Sequence, residues 1–426
     1  MRVLVVGQGG REHAICWKLK QSPQVKEVYA APGNAGIAQV ADCVPIGVAD
    51  IIELADFAEK LKIDLTIVGP ELPLTLGIVD EFQKRGLPIF GPTRLAAELE
   101  GSKVFSKEFM RKYKIPTPDS TTCQSVDEAR DALKQTKYPA VIKVDGLAAG
   151  KGVVIVQSKK EADDYLELVF EEKRFGTAAS RILVEEYLTG EEVSFMVITD
   201  GKRFVPLAPA KDYKKAFDGD EGPNTGGMGS HSPAVVLTSE KAAEVMRSII
   251  LPTIQGMAAE NRPYTGVLYA GLMLTKKGPK VLEYNCRFGD PETQVQMLRL
   301  DDDLAEILIR ASRGNLGDMK VNWRKEAAAC VVMAVDGYPS EYMKGQEVVI
   351  DPLPDDIVIF HAGIIRKGGK LVNMAGRVVN VCARAATLSE ALTKVYEALP
   401  KVRFEGARYR RDIGYRALEQ LAATRA

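Results

Sequence analysis

The chain has 426 residues, with 57 Lys plus Arg against 57 Asp plus Glu, so its formal net charge is zero. Roughly 150 residues per domain makes this about three domains, and the even charge balance argues against broad attraction to nucleic acid or an anionic membrane. Apolar residues at 46% and charged residues at 27% describe packed globular domains rather than a disordered or fibrous chain.

The first hundred residues alternate short apolar runs (3–6, 25–31, 65–68 and 88–90) with helical spacing, clearest at Ile51, Leu54, Ala55, Ala58 and Leu61. This predicts a doubly wound parallel α/β unit, whose ligand crevice lies at the carboxyl ends of its strands. Those ends carry Gly7-Gln8-Gly9-Gly10, Ala31-Pro32-Gly33-Asn34 and Gly69-Pro70-Glu71. A helix over 103–113 stops at Ile115-Pro116-Thr117-Pro118, because proline disfavours helix in the residue before it. A small α+β unit follows: helix 126–135, strands 140–144 and 153–156, helix 161–172 and strand 182–185. Longer antiparallel strands come next, 193–199 with 204–208 and 266–275 with 280–285. Between these hairpins the sequence predicts a glycine-rich loop over 211–232 without structure of its own, then a helix over 240–259. Strands 328–335, 357–365, 370–374 and 378–382 and a helix over 388–399 complete the chain. The expected boundaries are 1–101, 102–190, 191–325 and 326–426.

Six cysteines (Cys16, Cys43, Cys123, Cys286, Cys330, Cys382) without a C-x-x-C pair give neither a zinc ribbon nor a disulfide ladder. They read as reduced thiols of a cytoplasmic protein. The opening apolar run is too short for a signal peptide, and no stretch reaches the length of a membrane span. None of the three histidines sits at zinc spacing, so they read as structural, and Cys286 reads as packing rather than as a nucleophile.

Gly7-Gln8-Gly9-Gly10-Arg11-Glu12 departs from G-x-G-x-x-G at position 12, where a glutamate stands in place of a small residue. A substrate phosphate fits it better than a dinucleotide, and a plain tight turn is the other reading. Lys143-Val144-Asp145-Gly146-Leu147-Ala148-Ala149-Gly150-Lys151-Gly152 lies between two strands, unlike a P-loop. Its glycines let backbone N–H groups converge on phosphate oxygens while Lys143 and Lys151 add charge, as in a hairpin lid. Glu283 and Asn285 share one face of a strand and offer the hard oxygens that Mg²⁺ takes beside phosphates. Alone, such a pair is more often an exposed strand face; the upstream phosphate loop reverses the odds. Arg287, Asp290 and Glu292 follow as a polar cluster. Residues 184–192 form a strand exit that can present its main chain to an adenine edge, and by itself this is an ordinary strand exit.

Together these residues resemble the ATP-grasp superfamily and, within it, the phosphoribosylamine–glycine ligase family, over essentially the whole chain. The most specific strings are Pro223-Asn224-Thr225-Gly226-Gly227-Met228-Gly229 and Asn285-Cys286-Arg287-Phe288-Gly289-Asp290-Pro291-Glu292-Thr293-Gln294, with Arg410-Arg411-Asp412-Ile413-Gly414 near the end. The resemblance implies an N-terminal doubly wound α/β domain, an ATP-grasp core of two α+β subdomains and a C-terminal mixed β/α domain. It implies ligation of glycine to 5-phosphoribosylamine with ATP cleavage, Mg²⁺ or Mn²⁺, small-molecule partners only and a monomer. Another ATP-grasp carboxylate–amine ligase is the alternative.

By the same resemblance Lys103 and Lys143 contact ATP phosphates, and Gly150, Lys151 and Gly152 belong to the lid. Glu185, Glu186, Tyr187 and Leu188 run past adenine, Glu192 faces ribose, and Glu283 and Asn285 hold the metal. Gly9, Gly10, Glu71 and Arg287 serve phosphoribosylamine, Asp212 with Asn224, Thr225, Gly226 and Gly227 serves glycine, and Asp290 is a further substrate residue. Lys143, Asp212 and Arg287 are the candidates for catalysis. The family commonly has D-H-K-R where this chain has Asp212-Tyr213-Lys214-Lys215, A-Y-S-P where it has Ser230-His231-Ser232-Pro233, and Thr at Ile364.

Overall fold

The computed structural model describes residues 1–147, 152–172, 174, 176 and 180–425, with backbone alone at 424 and 425. Val3, Leu4, Val5 and Val6 are all fully buried, so their strand needs cover on both faces, as in a parallel sheet packed between helices. It has that cover. Strands β1 (Arg2–Gly7), β2 (Glu27–Pro32), β3 (Asp42–Cys43), β4 (Leu65–Val68) and β5 (Ile89–Phe90) pair in parallel in the order β3-β2-β1-β4-β5. Helices α1 (Gly10–Leu19), α2 (Ile51–Leu61), α3 (Glu71–Leu76), α4 (Ile78–Lys84) and α5 (Arg94–Gly101) complete this unit. The strand order reverses between β1 and β4, and the loops after both open on that crevice. β2 begins later than the apolar run suggests, because Val25 N–H closes a turn on Ser22 O at 3.2 Å.

Helix α6 (Lys103–Lys112) leads to β6 (Ser120–Cys123), α7 (Val126–Gln135), β7 (Ala140–Val144), β8 (Val153–Val156), α8 (Lys159–Phe170) and β9 (Ile182–Glu186). The four strands form an antiparallel sheet in the order β6-β9-β7-β8, over a core of their own that includes Leu133, Ile142, Val156, Leu166 and Val184. α8 starts two residues before its apolar pattern because Ser158 Oγ caps it, accepting the Glu161 N–H at 3.3 Å.

The region expected to be an unstructured loop is ordered. After β10 (Glu191–Asp200) and β11 (Phe204–Pro206), it forms four short strands: β12 (Lys211–Asp212), β13 (Lys215–Phe217), β14 (Glu221–Asn224) and β15 (Gly229–Ser232). Their polar residues gave no alternating pattern; β13 and β14 pair with each other and β12 with β15, and β15 takes its other partner from beyond residue 326. The expected single helix is two, α9 (Ser239–Val245) and α10 (Leu251–Ala259), joined by a π-helical turn at Met246–Ile250. Pro252 has no N–H to return to the preceding turn, and the wider turn accommodates its ring. β16 (Thr265–Thr275) and β17 (Gly278–Asn285) then pair into a sheet of order β11-β10-β16-β17, with α11 (Glu292–Arg299) and α12 (Leu304–Ser312) behind.

The last strands are β18 (Ala327–Val335), β19 (Val349–Ile350), β20 (Ile357–His361), β21 (Ile364–Lys367), β22 (Lys370–Asn373), β23 (Arg377–Ala385), β24 (Val402–Arg403) and β25 (Ala407–Arg408), with helices α13 (Leu388–Ala398) and α14 (Tyr415–Arg425). The expected strand 357–365 is split, since Ala362 and Gly363 donate to Val378 O and Arg377 O at 2.9 and 3.0 Å while the chain turns. The main sheet runs β12-β15-β18-β23-β20. Two strands from the 211–232 region therefore lie in a sheet built mostly from residues beyond 326. One buried cluster joins Val5 and Ile15 to Met196 and Val267 and to Cys330 and Cys382, so the first, third and last units share a core.

All three histidines are buried, at 4% exposure for His13, 0% for His231 and 4% for His361. His13 Nδ1 accepts the His361 N–H at 2.8 Å, and His231 Nδ1 donates to Pro233 O at 3.0 Å. Burial lowers their pKa values to about 3, about 4 and about 4 for His13, His231 and His361. Neutral histidine is thus the folded form. The unfolded chain takes up three protons below the ordinary value of 6.5 that the native chain refuses, so this stability is present above that pH and lost below it. Urea unfolding should show stability falling by up to about 4 kcal/mol per pH unit between about pH 6 and 4. A flat profile there would contradict the neutral assignment.

Candidate active site

The phosphate-type loop is rooted by a web of charge. Ser102 Oγ donates to Asp145 Oδ1 at 2.9 Å, and the same oxygen accepts Val104 N–H at 2.8 Å, which ties the start of α6 to the end of β7. Arg181 holds Asp145 Oδ2 at 2.7 Å. Lys103 Nζ donates to Gly146 O at 3.1 Å. Burial lowers the Lys103 pKa, and Glu283 partly offsets this. Gly150 and Lys151 lie outside the described residues; Gly152 O accepts Val144 N–H at 2.8 Å.

Lys143 reaches β17. Its Nζ donates to Leu282 O at 2.9 Å and pairs with Glu185 Oε2 at 2.9 Å. Lys107 takes the other carboxylate oxygen at 3.1 Å, and all three side chains are buried. Glu185 therefore orients two lysines, rather than presenting its side chain to a base. Burial brings Lys107 down to about 8 despite Glu185. Glu186 N–H already donates to Asp119 O at 3.0 Å and its carboxylate pairs with Lys280 at 2.7 Å. Tyr187 is exposed and Leu188 half-buried beside it. Glu192 is half-exposed and 4.0 Å from Lys214, lining a small cavity with Ser194, Asp212 and Tyr269.

Glu283 and Asn285 stand on one face of β17, and Tyr284 between them is buried on the other. Burial would raise the Glu283 pKa, yet Lys214, Lys143, Lys103 and Arg287 bring it down to about 2. Lys214 Nζ lies 3.5 Å from Glu283 Oε1. Asn285 Oδ1 accepts from Arg287 NH2 at 3.1 Å. Among the described residues no group of three or more His, Cys, Asp or Glu gathers to hold a metal. An ionised carboxylate and an amide oxygen within a ring of lysines instead suit a divalent cation that takes its remaining ligands from phosphate.

Arg287 links this strand to the N-terminal unit. Nε donates to Glu71 Oε2 at 3.2 Å, and NH2 lies 3.3 Å from Glu100 Oε1. The second oxygen of Glu100 accepts the Cys286 N–H at 2.7 Å and thiol at 3.0 Å, and burial with Glu100 pushes that thiol well up, as suits a packing role. The glycine turn after β1 is filled by its own glutamate: Glu12 accepts Gly9 N–H at 2.5 Å and Arg11 Nε at 2.6 Å. A Cβ on Gly10 would meet Gln294 Nε2 at 2.7 Å, so Gly10 is a close-packing point against α11. A Cβ on Gly9 would stand 3.4 Å from Asp290 Oδ2, which places Gly9 and Asp290 on one wall.

Asn224 ends β14, and Thr225, Gly226 and Gly227 follow it, with Gly227 against Asp212. Gly227 has φ +108°, and a Cβ there would lie 2.6 Å from Asp212 Oδ1. Thr225 Oγ1 donates to Lys214 O at 2.8 Å and accepts Gly227 N–H at 3.0 Å. Asp212 Oδ1 is buried with no hydrogen-bond partner among the described residues, and burial with the nearby Glu292 raises its pKa well above the usual range. Glu292 Oε1 accepts Ser194 Oγ at 2.8 Å and Tyr269 OH at 2.5 Å. From β23, Arg377 NH1 donates to Gly226 O at 2.6 Å and to Asp290 O at 2.9 Å.

Residues 1–100, 101–293 and 328–416 match the family models described as the N, ATP-grasp (A) and C domains of phosphoribosylglycinamide synthetase. A phosphoribosylamine–glycine ligase of Vibrio cholerae serotype O1 is 48% identical over 425 residues, covering 98% of this chain and 99% of the relative. One from Ralstonia nicotianae is also 48% identical, over 99% of this chain and all of its own length. This chain belongs to the phosphoribosylamine–glycine ligase family. The crystal structure of a phosphoribosylamine–glycine ligase from Thermotoga maritima superposes with TM-score 0.85 at 37% identity, covering 97% of this chain and 100% of that one. A biotin carboxylase domain from Hydrogenobacter thermophilus, solved with MgADP, has TM-score 0.74 at 17% identity over 96% of this chain and 91% of that one, and shares the fold.

Two of the residues at which the chain departs from the family's usual strings meet in the structure: Tyr213, just past β12, and His231, on β15, have ring centroids 5.9 Å apart. Tyr213 also takes the Arg410 guanidinium over its ring at 5.1 Å. Lys107, Lys214, Glu100, Glu292 and Arg377 had no role assigned from sequence. Lys107 had a signal, since it falls one turn after Lys103 on α6. Arg377 opens an ordinary apolar strand and had none.

Removing the Glu185 charge should expose how much the lysine pair depends on it. Glu185→Gln leaves two buried ammonium groups facing a neutral amide and should cost about 3 kcal/mol at neutral pH by urea unfolding. Lys107 titrates at about 8 in the native protein and lower once Glu185 is neutral, so the loss relative to wild type should shrink as pH rises toward about 8 and stay constant above it, where both native proteins have given up that proton.

Proposed function

We propose that this chain joins glycine to 5-phosphoribosylamine with cleavage of ATP, giving glycinamide ribonucleotide, ADP and phosphate in purine biosynthesis. The observation that carries the site reading is the contact of Lys143 Nζ with Leu282 O at 2.9 Å, which brings the root of the glycine-rich loop to the strand of Glu283 and Asn285. Lys103, Lys143 and Lys214 surround Glu283 there, a concentration of positive charge suited to a polyphosphate. Glu283 and Asn285 would hold Mg²⁺ or Mn²⁺, which supplies charge neutralisation between the phosphate groups when bound.

Glycine carboxylate is a poor electrophile. In the reading favoured here its oxygen attacks the γ-phosphorus, the bond to ADP breaks, and glycyl phosphate forms. The amine of phosphoribosylamine then attacks the carbonyl, phosphate leaves and the nitrogen loses a proton. Lys103 and Lys143 neutralise charge on the transferred group, so the protein's contribution is mainly positioning and electrostatic stabilisation. Asp212 and the loop from Asn224 to Gly227 receive glycine, whose ammonium supplies a cation to the buried Asp212 beside Glu292. Glu71, Arg287, Asp290 and Gly9 line the wall for phosphoribosylamine. The strand exit from Glu186 to Leu188 meets adenine, and Glu192 the ribose. Water must be kept from an acyl phosphate, which is the reason for a closing lid.

Phosphate release should require ATP, the divalent metal, glycine and freshly made phosphoribosylamine together. Release without phosphoribosylamine, or with another amino acid in place of glycine, would point to a different ATP-grasp ligase. Glu283→Gln and Asn285→Ala should each lower turnover by about a hundredfold, since the metal contributes several kcal/mol of transition-state stabilisation, while circular dichroism stays unchanged. Normal turnover in both variants would remove the metal assignment.

A further inference from the structure

One guanidinium from the C-terminal unit reaches across to the glycine-rich loop. Arg377 opens β23 beside a bulge opposite Ala334 and is about one-fifth exposed, with its side chain at 20%. NH1 donates to Gly226 O at 2.6 Å, Gly227 O at 3.3 Å and Asp290 O at 2.9 Å, and NH2 lies 3.3 Å from Asp290 Oδ2. Tyr338, from the same unit, accepts the Gly226 N–H on its hydroxyl at 2.9 Å. A Cβ on Gly226 would lie 3.0 Å from Arg377 Cζ, so glycine is what lets the loop approach the guanidinium. The two segments held by Arg377, the Gly226–Gly227 peptide and the Asp290 turn, are separated by 62 residues of chain.

We propose that Arg377, with Tyr338, is a positioning residue for glycine binding: it fixes the Gly226–Gly227 peptide against the Asp290 turn and so sets the wall that faces Asp212. This rests on the reading above that the loop receives glycine. The argument is geometric. A flat fork of donors serves several carbonyls at once, which a single ammonium cannot. The guanidinium also places its charge between Asp290 and Asp212; in both, burial opposes ionisation and Arg377 favours it. With carbonyls of adjacent residues drawn to one side, the Gly227 N–H is left to Thr225 Oγ1 at 3.0 Å and the loop keeps one path past Asp212. Gly227, at φ +108°, can take that path where other residues would be strained.

The test is steady-state kinetics of the full chain with each of the three substrates varied in turn. Arg377→Ala should raise the KM for glycine by about tenfold to a hundredfold, raise that for phosphoribosylamine less, through Asp290, and leave the KM for ATP within about twofold. Guanidinium ion added at non-denaturing concentration should restore part of the glycine affinity, and Arg377→Lys should recover only part of it. Tyr338→Phe, which keeps the ring, should raise the glycine KM by about threefold to tenfold. An unchanged glycine KM in Arg377→Lys and Tyr338→Phe overturns the proposal, and so does an equal rise in all three KM values, which would mark a structural role. Wild-type protein without glycine-dependent turnover would instead refute the functional reading, so the two failures are distinct.

Discussion

The site depends on an excess of positive charge gathered where four distant segments meet. Lys103 begins α6, Lys143 is next to last in β7, Lys214 lies just past β12, and Arg287 follows β17, and all four lower the pKa of Glu283. Such a grouping is costly in isolation, because like charges repel and each is partly withdrawn from water. The protein offsets the cost with carboxylates placed one layer out: Glu185 behind Lys143, and Glu71 and Glu100 around Arg287. What remains facing the cleft is positive and can be neutralised by a polyphosphate.

The second constraint is mechanical. The small unit of β6 to β9 keeps a core to itself, whereas the first, third and last units share one. The glycine-rich region belongs on the shared side, because β12 and β15 are strands of the last unit's sheet. Arg410 strengthens that attachment: its side chain is fully buried and pairs with Asp220 at 2.9 Å and Asp412 at 2.7 Å. Two separately cored parts thus meet at the site, with Lys143 on β7 in one and the loop around Gly227 in the other.

Much of this was legible in the sequence where local pattern and tertiary role agree. The parallel strands at the start are uniformly apolar because both faces are covered, and α2, α7, β7 and β8 fall on the residues their periodicity marks. The acid–amide pair of β17 was readable because strand alternation alone puts Glu283 and Asn285 on one side. Legibility ended where partners are remote. β12 and β15 consist of polar and glycine residues that become strands because β15 pairs with β18 and β12 in turn with β15. Glu185 looked like part of a linker, yet burial turns it inward to two lysines. Arg377 has no local signature, and only the return of β23 beside β18 brings it to the loop.

The packed pair of Tyr213 and His231 has a consequence for how this sequence can drift. Their rings lie 5.9 Å apart, with the Arg410 guanidinium over Tyr213, so a change at one alters the surroundings of the other. Exchanging the two by single replacements would pass through two phenols or two imidazoles in that space. Either would alter volume and hydrogen bonding at 0% exposure for His231 and 2% for Tyr213. The two sites are therefore energetically coupled, and the effects of replacing both should not add.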